Sequence, residues 1–302
     1  MNKLIRIGTR DSALALWQAN TVKSALENLG YEAILVPVKS TGDLNLSQPL
    51  YELGITGIFT KTLDIAMLNG QVDIAVHSLK DVPTLLPKGI VQTAVLERAS
   101  SEDILVHKGD FNPMENCTIA TGSLRRRAQW LHRYPAHEVV GLRGNVNTRL
   151  QKLANSNWQG AIFAKAGLER IDVLPPHFES LSWMIPAPAQ GAMVVVALKD
   201  DDFSREATEK LNHKNSALCT GVEREFLNVL EGGCTAPIGA LAHIEAGNVH
   251  LHGVLLSLDG KQKLDIKKNA PLSEYATVGR ESALELLSNG GAELMEEIRK
   301  SQ

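Results

Sequence analysis

The sequence is poor in cysteine, in aromatic residues and in long apolar runs. Its 302 residues include 3 cysteines, and 5% of them are aromatic. Three scattered cysteines without a CxxC pair argue against a disulfide scaffold and a zinc site. The densest apolar run, 192–198, is far shorter than the ~20 residues that span a bilayer, and Met1–Arg10 has no apolar signal segment. These absences predict a cytoplasmic protein without a membrane partner.

The overall charge and composition are those of a folded globular protein. Lys and Arg total 31 and Asp and Glu total 34, a net charge of −3, which argues against a general nucleic-acid binder. Hydrophobic residues make up 44%, enough for buried cores and against intrinsic disorder. At roughly 150 residues per domain, the length predicts two or three domains.

Strands and helices alternate over the first two-thirds of the chain. This alternation predicts right-handed βαβ units and largely parallel sheets, whose ligands bind at the carboxyl ends of the strands. In a first unit the predicted elements are strands 4–7, 33–38 and 72–76, a helix from Asp11 or Ser12 to Gly30, and a helix over 63–68. In a second unit, beginning near Ser101, they are strands 117–120, 138–140 and 161–164 and helices 123–134 and 146–153.

The connections predict how the units are joined. The proline-rich stretch 175–188 is interpreted as a crossing, after which a strand over 194–198 returns to the first sheet. The expected fold class is therefore α/β, with two lobes joined by paired linkers that permit hinge motion. After residue 215 the pattern changes to α+β, with a three-stranded antiparallel sheet and an Asp259-Gly260 hairpin turn. The predicted domains are 1–98 with 191–211, 101–186, and 215–302.

In the C-terminal unit the predicted strands are 238–244, 249–258 and 262–268, and the predicted helices are 216–230, 274–287 and 292–299.

Positive charge is concentrated in the second unit. Between residues 125 and 170 the chain has 9 positive and 2 negative side chains, a local charge of 9 − 2 = +7. Arginine predominates, and its planar fork binds carboxylate or phosphate through two parallel hydrogen bonds. The alternative is a solvated basic helix face. The residues are Arg125, Arg126, Arg127, Arg133, Arg143, Arg149, Arg170, Lys152 and Lys165, against Glu138 and Glu169.

Several of these arginines lie at two predicted strand–turn–helix junctions, a position typical of anion binding. Thr121-Gly122-Ser123 precedes Arg125 and Arg126, and the turn 141–145 precedes Arg149. Backbone N–H groups and the positive end of the helix dipole favour an anion at such junctions. The sequence therefore predicts a polyanionic ligand, and it does not distinguish carboxylates from phosphates.

Asp81 and Cys234 are two further candidates. Asp81 follows a predicted strand and lies beside Lys80; among cations a carboxylate stays ionised and can stabilise a developing positive charge. The alternative is a loop-capping aspartate paired with Lys80. Cys234 lies in a Gly-Gly-Cys turn, where its thiol could face a cleft or be a small buried apolar group. His77 is interpreted as structural, because no Ser–Asp arrangement accompanies it.

Five segments together resemble the hydroxymethylbilane synthase (porphobilinogen deaminase) family. They are Ile7-Gly8-Thr9-Arg10, 76–83 (VHSLKDVP), 122–126 (GSLRR), 142–146 (LRGNV) and 231–234 (EGGC). They occur in the family's order, and the chain length matches end to end. The resemblance implies two lobes like those of periplasmic binding proteins and a monomeric enzyme of tetrapyrrole (haem) biosynthesis. Such an enzyme joins four porphobilinogen molecules head to tail, releases ammonia and hydrolyses the product to hydroxymethylbilane.

The resemblance also implies roles for individual residues. Cys234 would carry one dipyrromethane cofactor through a thioether, Asp81 would be catalytic, and no metal is implied. The implied cofactor-binding residues are Ser78, Lys80, Asp81, Thr121, Ser123, Arg125, Arg126 and Arg143, and the implied substrate-binding residues are Arg10, Lys61, Arg149, Arg170 and Gln190.

The chain departs from the family pattern at three positions. Thr56 stands where lysine is common, Gly122 where serine is common, and Asn147 where glycine is common. These departures put in doubt the contacts near Thr56 and one hydroxyl at the anion site. None of them touches Asp81 or Cys234, so we expect activity to survive.

Two other functions compete with this interpretation. A nucleic-acid-binding protein would need aromatic side chains among the basic residues, and 125–170 has only Trp130, Tyr134, Trp158 and Phe163, two of which are expected in the core. A non-catalytic, two-lobed anion-binding protein is disfavoured by the missing signal segment and by the third unit with Cys234.

Overall fold

The computed structural model describes residues 4–38, 60–109, 111–230 and 236–301. Thr56 and Cys234 lie outside these described residues. Within the described ranges, none of the helices combines the length and the apolar character needed to cross a bilayer.

The described elements form three sheets with flanking helices. The strands are β1 (Ile5–Thr9), β2 (Ala33–Pro37), β3 (Ile74–Ser78), β4 (Ile90–Val95), β5 (Asp103–His107), β6 (Thr118–Ala120), β7 (Glu138–Val140), β8 (Gly160–Ala164), β9 (Phe178–Ser180), β10 (Met193–Leu198), β11 (Ile238–Glu245), β12 (Asn248–Leu256) and β13 (Lys263–Pro271). The helices are α1 (Ala13–Asn28), α2 (Lys61–Leu68), α3 (Leu124–Arg133), α4 (Val146–Asn155), α5 (Lys165–Glu169), α6 (Asp202–Glu209), α7 (Lys214–Val229), α8 (Tyr275–Leu286) and α9 (Ala292–Lys300).

The first lobe has the strand order β2-β1-β3-β10-β4. β1 pairs in parallel with β2 and β3, and β10 lies antiparallel between β3 and β4. The residues of β10 are buried almost throughout, and its continuous apolar sequence is typical of a strand covered on both faces. The predicted return of the chain to the first sheet is confirmed by these pairings.

The second lobe repeats this arrangement with the order β7-β6-β8-β5-β9. β6 is parallel to β7 and β8, and β5 is the antiparallel strand between β8 and β9. Each sheet is therefore parallel apart from one strand, which lies next to an edge strand. This strand is β5 where the chain enters the second lobe and β10 where it returns to the first. The predicted two-lobed α/β class is confirmed, and part of the 175–188 stretch, interpreted as a crossing, forms β9 instead.

Two segments connect the lobes, a first linker (96–102) and a second linker (181–192), and they lie side by side. The amide of Ala99 donates to the carbonyl of Gly191 at 3.2 Å, and Nε2 of Gln190 donates to the carbonyl of Ser101 at 2.8 Å. Gly191 has φ +87°, and a Cβ there would lie 2.5 Å from the oxygen of Ser100. Only glycine permits this close approach in that conformation.

A single carboxylate on α7 joins both linkers to the C-terminal sheet. Glu223 is 0% exposed and accepts a hydrogen bond at 2.6 Å from the Arg98 guanidinium of the first linker. It also accepts from the amide of Ala189 in the second linker at 2.6 Å and from the amide of Ala242 in β11 at 2.7 Å. Both carboxylate oxygens of Glu223 therefore accept hydrogen bonds, which offset the loss of hydration of this buried charge.

The C-terminal unit has the antiparallel order β11-β12-β13. Helices α7 and α8 pack on one face of this sheet over a core that includes Phe226, Leu251 and Val278. The predicted Asp259-Gly260 turn connects β12 to β13, and the Gly260 carbonyl lies 2.8 Å from Nδ1 of His132 on α3. The predicted three-stranded α+β unit is confirmed, and its hairpin contacts the second lobe.

We expect Glu223→Gln to destabilise the protein strongly. The change removes the negative charge and leaves the Arg98 guanidinium, only 12% exposed in its side chain, without a counter-charge. Breaking a buried ion pair from one side costs about 3–5 kcal/mol. Urea unfolding should therefore show a lower midpoint than in the wild type.

The matched control is Glu225→Gln on the same helix. Glu225 is half-buried and forms a long ion pair with the exposed Arg280 at 3.9 Å, so the loss of its charge should change the free energy of unfolding by less than about 0.5 kcal/mol. Equal urea midpoints for the two variants would contradict the assigned role of Glu223.

Candidate active site

The predicted binding residues lie where strands of both lobes end. Arg10 follows β1, Lys80 and Asp81 follow β3, Thr121 follows β6, Arg143 follows β7 and Arg170 follows β8. The carboxyl ends of parallel strands share one edge of a sheet, which is where α/β proteins bind ligands. A pocket at this edge of the first lobe is lined by Arg10, Ser12, Leu14, Ala15, Gln18, Val76, His77, Ser78 and Asp81.

The buried side chain of Leu79 fixes the turn that places Asp81 at this pocket. β3 continues into a single 3-10 turn, Leu79–Asp81, in which Leu79 is buried and Asp81 is exposed. Nε2 of Gln18 donates to the Ser78 hydroxyl at 2.8 Å. The next residues are held by Arg224 of α7, whose guanidinium donates to the carbonyls of Val82 and Pro83 at 2.8 and 2.6 Å. The sequence analysis did not single out Arg224, because it lies in no recognisable motif.

In the second lobe, a fully buried carboxylate holds Arg125 and Arg126. Asp103, 0% exposed, accepts from Nη1 of Arg125 at 2.7 Å and from Nε of Arg126 at 2.9 Å. Burial alone would raise the pKa of Asp103, but the two guanidinium groups and hydrogen bonds from Arg125 and Gln190 hold it well below its usual range. Nε of Arg125 is buried without a hydrogen-bond partner among the described residues. Asp103 was also missed by the sequence analysis.

Local capping fixes the start of the helix that carries these arginines. The Ser123 hydroxyl is the N-cap of α3 and accepts from the amide of Arg126 at 3.4 Å. The Thr121 hydroxyl accepts from the amide of Ser123 at 3.2 Å. The predicted anion-binding turn is therefore formed as a strand–turn–helix junction.

Gln190 links the first lobe to this charge cluster. Nζ of Lys80 donates to Oε1 of Gln190 at 3.3 Å, and Nε2 of Gln190 donates to Oδ1 of Asp103 at 2.9 Å. The pKa of Lys80 is lowered to about 8, chiefly by burial and then by the nearby Arg126, against the opposing effects of Asp81 and Asp103. Asp81 and Arg126 therefore both lie within electrostatic range of Lys80.

The second predicted anion turn brings Arg149 towards the same cluster. Asn145 is the N-cap of α4, and Nε of Arg149 donates to the carbonyl of Gly144 at 2.7 Å. The pKa of Arg149 is lowered to about 10, chiefly by burial and then by Arg126, against an opposing effect of Asp81. Burial also lowers the pKa of Arg143, at the start of this turn.

Arg170 bridges the second lobe to the linker and to α1. It donates to the carbonyl of Gly191 at 2.7 Å, and its guanidinium carbon lies 5.6 Å from the centre of the Trp17 ring. Lys61, in contrast, is exposed in the first turn of α2, and no hydrogen bond or ion pair within the described part of the chain joins it to the other predicted residues.

His77 is buried at the base of the pocket. Its Nε2 has no hydrogen-bond partner among the described residues, and burial, together with the charge of Arg10, lowers its pKa to about 4. The imidazole is therefore neutral at pH 7. This environment agrees with the structural interpretation of His77.

Comparisons with known proteins identify the family of this chain. The porphobilinogen deaminase, dipyromethane cofactor binding domain matches residues 5–206, and the porphobilinogen deaminase, C-terminal domain matches residues 217–288. This chain belongs to the porphobilinogen deaminase family. Porphobilinogen deaminases of Chloroherpeton thalassium and Syntrophomonas wolfei are 40% and 38% identical to it, covering 99% and 98% of this chain and 99% of each relative.

Solved structures of low sequence identity to this chain include a periplasmic domain and a solute binding protein. The BvgS periplasmic VFT2 domain of Bordetella pertussis has a TM-score of 0.39 at 11% identity, covering 69% of this chain and 86% of its own. An ancestral cationic amino acid solute binding protein has a TM-score of 0.43 at 12% identity, covering 69% of this chain and 87% of its own.

One departure from the family pattern has a local physical reason. A Cβ on Gly122 would lie 2.5 Å from the backbone oxygen of Leu142, so the β6 and β7 turns approach too closely here for a serine. Asn147 is exposed in the first turn of α4, and nothing in the structure explains it.

We expect His77 to make stability depend on pH. Its folded-state pKa of about 4 lies below the unfolded value of about 6.5, so only the unfolded chain binds the proton between these values. Stability is therefore complete above about pH 6.5 and falls as the pH decreases towards 4. The His77 contribution should fall by about 2 kcal/mol between pH 7 and pH 5.

Urea unfolding at pH 7 and pH 5 tests this expectation. His77→Gln should lose less stability over this interval than the wild type, whereas the exposed control His177→Gln should keep the wild-type difference. The assignment is wrong if His77→Gln and the wild type lose the same amount.

Proposed function

We propose that this chain is a hydroxymethylbilane synthase. It condenses four porphobilinogen molecules head to tail on a covalently bound dipyrromethane primer, releases ammonia, and hydrolyses the product to hydroxymethylbilane. The observation that carries the proposal is the meeting of cationic groups from both lobes around the Asp81 carboxylate. Family membership supports it further.

The charge of the cleft fits that of the reactants. Each pyrrole ring carries two carboxylates, so a two-ring primer with four added rings holds roughly twelve negative charges, which would be costly to bury without counter-charges. Asp103 neutralises one of the two guanidinium groups that it binds, and the net positive charge of this pair remains. The buried, unpartnered Nε of Arg125 is a donor that a carboxylate would complete.

We assign the residues of the site to two groups, as the resemblance to the family implies. The residues proposed to bind the cofactor are Ser78, Lys80, Asp81, Thr121, Ser123, Arg125, Arg126 and Arg143. Those proposed to bind the substrate are Arg10, Arg149, Arg170, Gln190 and Lys61. Lys61 has the weakest support, because it is exposed on α2 and unconnected to the others in the described residues.

Asp81 is the proposed catalytic residue. Loss of ammonia from the aminomethyl group of porphobilinogen leaves a cationic, conjugated methylene-pyrrole. A carboxylate fixed at the end of β3 and exposed to the pocket has the correct sign of charge to stabilise this cation. Lys80 and Arg149 lie within electrostatic range of it.

Cys234 is the proposed attachment point of the cofactor. The bound dipyrromethane supplies the pyrrole position to which the first substrate is joined. Both other cysteines are poorly suited to this role: Cys117 and Cys219 are buried, and burial raises the pKa of the Cys219 thiol to about 11 and also raises that of Cys117. A thiolate is therefore disfavoured at either position.

The proposal includes the organisation and setting of the enzyme. We infer three domains, 1–98 with 191–211, 101–186 and 215–302, supported by one sheet in each. We also infer a cytoplasmic monomer that acts on porphobilinogen without nucleic acid or membrane. The free buried thiols of Cys117 and Cys219 are consistent with a reducing compartment. Trp130 and Phe163 are core residues, so they are not available to stack on bases.

Asp81→Asn should lose most porphobilinogen turnover. The amide keeps the size of the side chain but removes the negative charge, and removing one such stabilising group slows turnover by about 100-fold or more. The rate of porphobilinogen consumption measures the effect, and intact mass should show that the variant retains its covalent adduct. Asp202→Asn, at an exposed carboxylate on α6, is the control and should have the wild-type rate.

A near-normal rate for Asp81→Asn would remove Asp81 from the mechanism. Absence of porphobilinogen consumption by the wild type itself would instead favour the alternative of a non-catalytic two-lobed anion-binding protein. Family membership disfavours that alternative.

Intact-mass spectrometry should show an excess of two linked pyrrole units on the purified protein. The excess should be absent in Cys234→Ser and retained in Cys219→Ser, because Cys219 is a buried thiol within α7. Peptide mapping should assign it to the peptide that contains Cys234. An unmodified mass for the active wild-type protein would contradict covalent attachment.

A further inference from the structure

The outer face of the C-terminal sheet carries a pair of histidines on adjacent strands. One face of this sheet packs on α7 and α8. On the other face, Leu241, Val254 and Leu256 pack against Ala128 of α3 and Ile185 of the second linker, whereas the end that carries His243 and Glu245 is exposed. His243 of β11 is directly opposite His250 of β12 in the antiparallel register. Their rings are stacked, with centroids 4.8 Å apart and an angle of 10° between the planes. Side chains at such paired positions stand next to each other on one face.

Glu245 adds a carboxylate to this pair. It is two residues after His243 on β11, and alternate residues of a strand share a face. Its Oε2 lies 3.8 Å from Nε2 of His243. One ligand atom of each of the three residues lies within 4.8 Å of those of the other two.

The backbone holds these three residues in place. A two-residue turn, Ala246-Gly247, joins β11 to β12, with φ of +48° and +77°, and Glu245 pairs with Asn248 across it. Positive φ at both turn positions is typical of the tight hairpin turn that fixes strand register. The histidine pairing is therefore set by the hairpin and does not depend on mobile loops.

We propose that His243, Glu245 and His250 form a binding site for a divalent first-row transition ion such as Zn²⁺. Imidazole nitrogens suit Zn²⁺, Ni²⁺ and Cu²⁺, whereas Mg²⁺ and Ca²⁺ prefer sites made only of oxygen ligands. Ligand atoms around a tetrahedral zinc ion are about 3.3 Å apart, as follows from bond lengths of about 2.0–2.1 Å. The ligand atoms now lie within 4.8 Å of one another, and two of the three residues are exposed. Small rotations of these side chains therefore bring the ligand atoms to the spacing that zinc requires.

Neighbouring groups define the limits of the site. His252, the next residue of β12 on this face, has Nε2 2.8 Å from Oδ1 of Asp265, and the same carboxylate pairs with Lys263 at 2.8 Å. His252 is therefore occupied by another partner. Lys267 and Asn269 line the same groove, and the positive charge of Lys267 opposes a cation, so the ion should be exchangeable.

The site has three protein ligands and an open side. Solvent exposure leaves the remaining coordination positions to water, as in zinc sites that are not closed by a fourth residue. It lies outside the cleft and uses none of the residues proposed for catalysis. The inference is therefore independent of the proposed function.

Isothermal titration of the intact protein with ZnCl₂ at pH 7.5 tests the site. We expect one ion to bind per chain. His243→Gln and His250→Gln should each weaken binding at least about tenfold, since even residues that only support metal ligands contribute about 10–100-fold, and Glu245→Gln should weaken it less. His252→Gln, which removes a neighbouring histidine from the same face, should retain the wild-type affinity within about twofold. Because metal ligands must be deprotonated, wild-type binding should weaken as the pH is lowered.

A second measurement needs no variant. Addition of Cu²⁺ to the ¹⁵N-labelled protein should first broaden the amide signals near His243 and His250, because the paramagnetic ion acts over a short distance. Absence of zinc binding at 1 mM, equal affinity of His250→Gln and the wild type, an equal loss for His252→Gln, or broadening that begins elsewhere would each overturn the proposal.

Discussion

The cleft depends on the pairing of one buried carboxylate, Asp103, with two guanidinium groups. Arg125 and Arg126 are adjacent in sequence and both nearly buried; like charges about 4 Å apart repel by about 4 kcal/mol at an effective dielectric constant of 20. Asp103 offsets this repulsion by accepting a hydrogen bond from each. A binding site for a polyanion can therefore be assembled before its ligand is present, because the fold supplies one anion of its own.

Asp103 also connects the charge cluster to the linkers. It is the first residue of β5, the antiparallel strand that enters the second lobe, and it binds the side chain of Gln190 in the second linker. The carbonyl of Gln190 accepts from Nε of Arg98 at 2.8 Å, and Arg98 in turn pairs with Glu223. The two buried carboxylates, Asp103 and Glu223, are thus connected to each other through Gln190 and Arg98 of the paired linkers.

Sequence reasoning succeeded where a local pattern determines structure. The capping residues Ser12, Ser123 and Asn145 begin their helices as such residues usually do, and the alternating stretches of the C-terminal unit form its sheet. Three strands and two helices were missed, for identifiable reasons. The polar Gln92 and Thr93 interrupt β4, β5 follows no turn signal, β9 lies among prolines, α5 is only five residues long, and the largely polar α6 shows little apolar periodicity. Asp103 could not be singled out, because one acidic residue at the start of an apolar strand carries no motif, and its partners are 22 or more residues away.

Burial of the charged groups in the cleft makes their pKa values sensitive to a bound ligand. Lys80, with a pKa of about 8, and Arg149, with a pKa of about 10, are held below their usual values by burial and by the cation Arg126. A bound carboxylate acts in the opposite direction and raises both values. By linkage, an anionic ligand then binds more tightly at a pH where Lys80 is already protonated. At a higher pH the binding is weaker, because Lys80 must take up a proton when the ligand binds. Under the proposed function, the carboxylates of the ligand supply the negative groups that this charge network lacks, and each added pyrrole ring brings its own counter-charge.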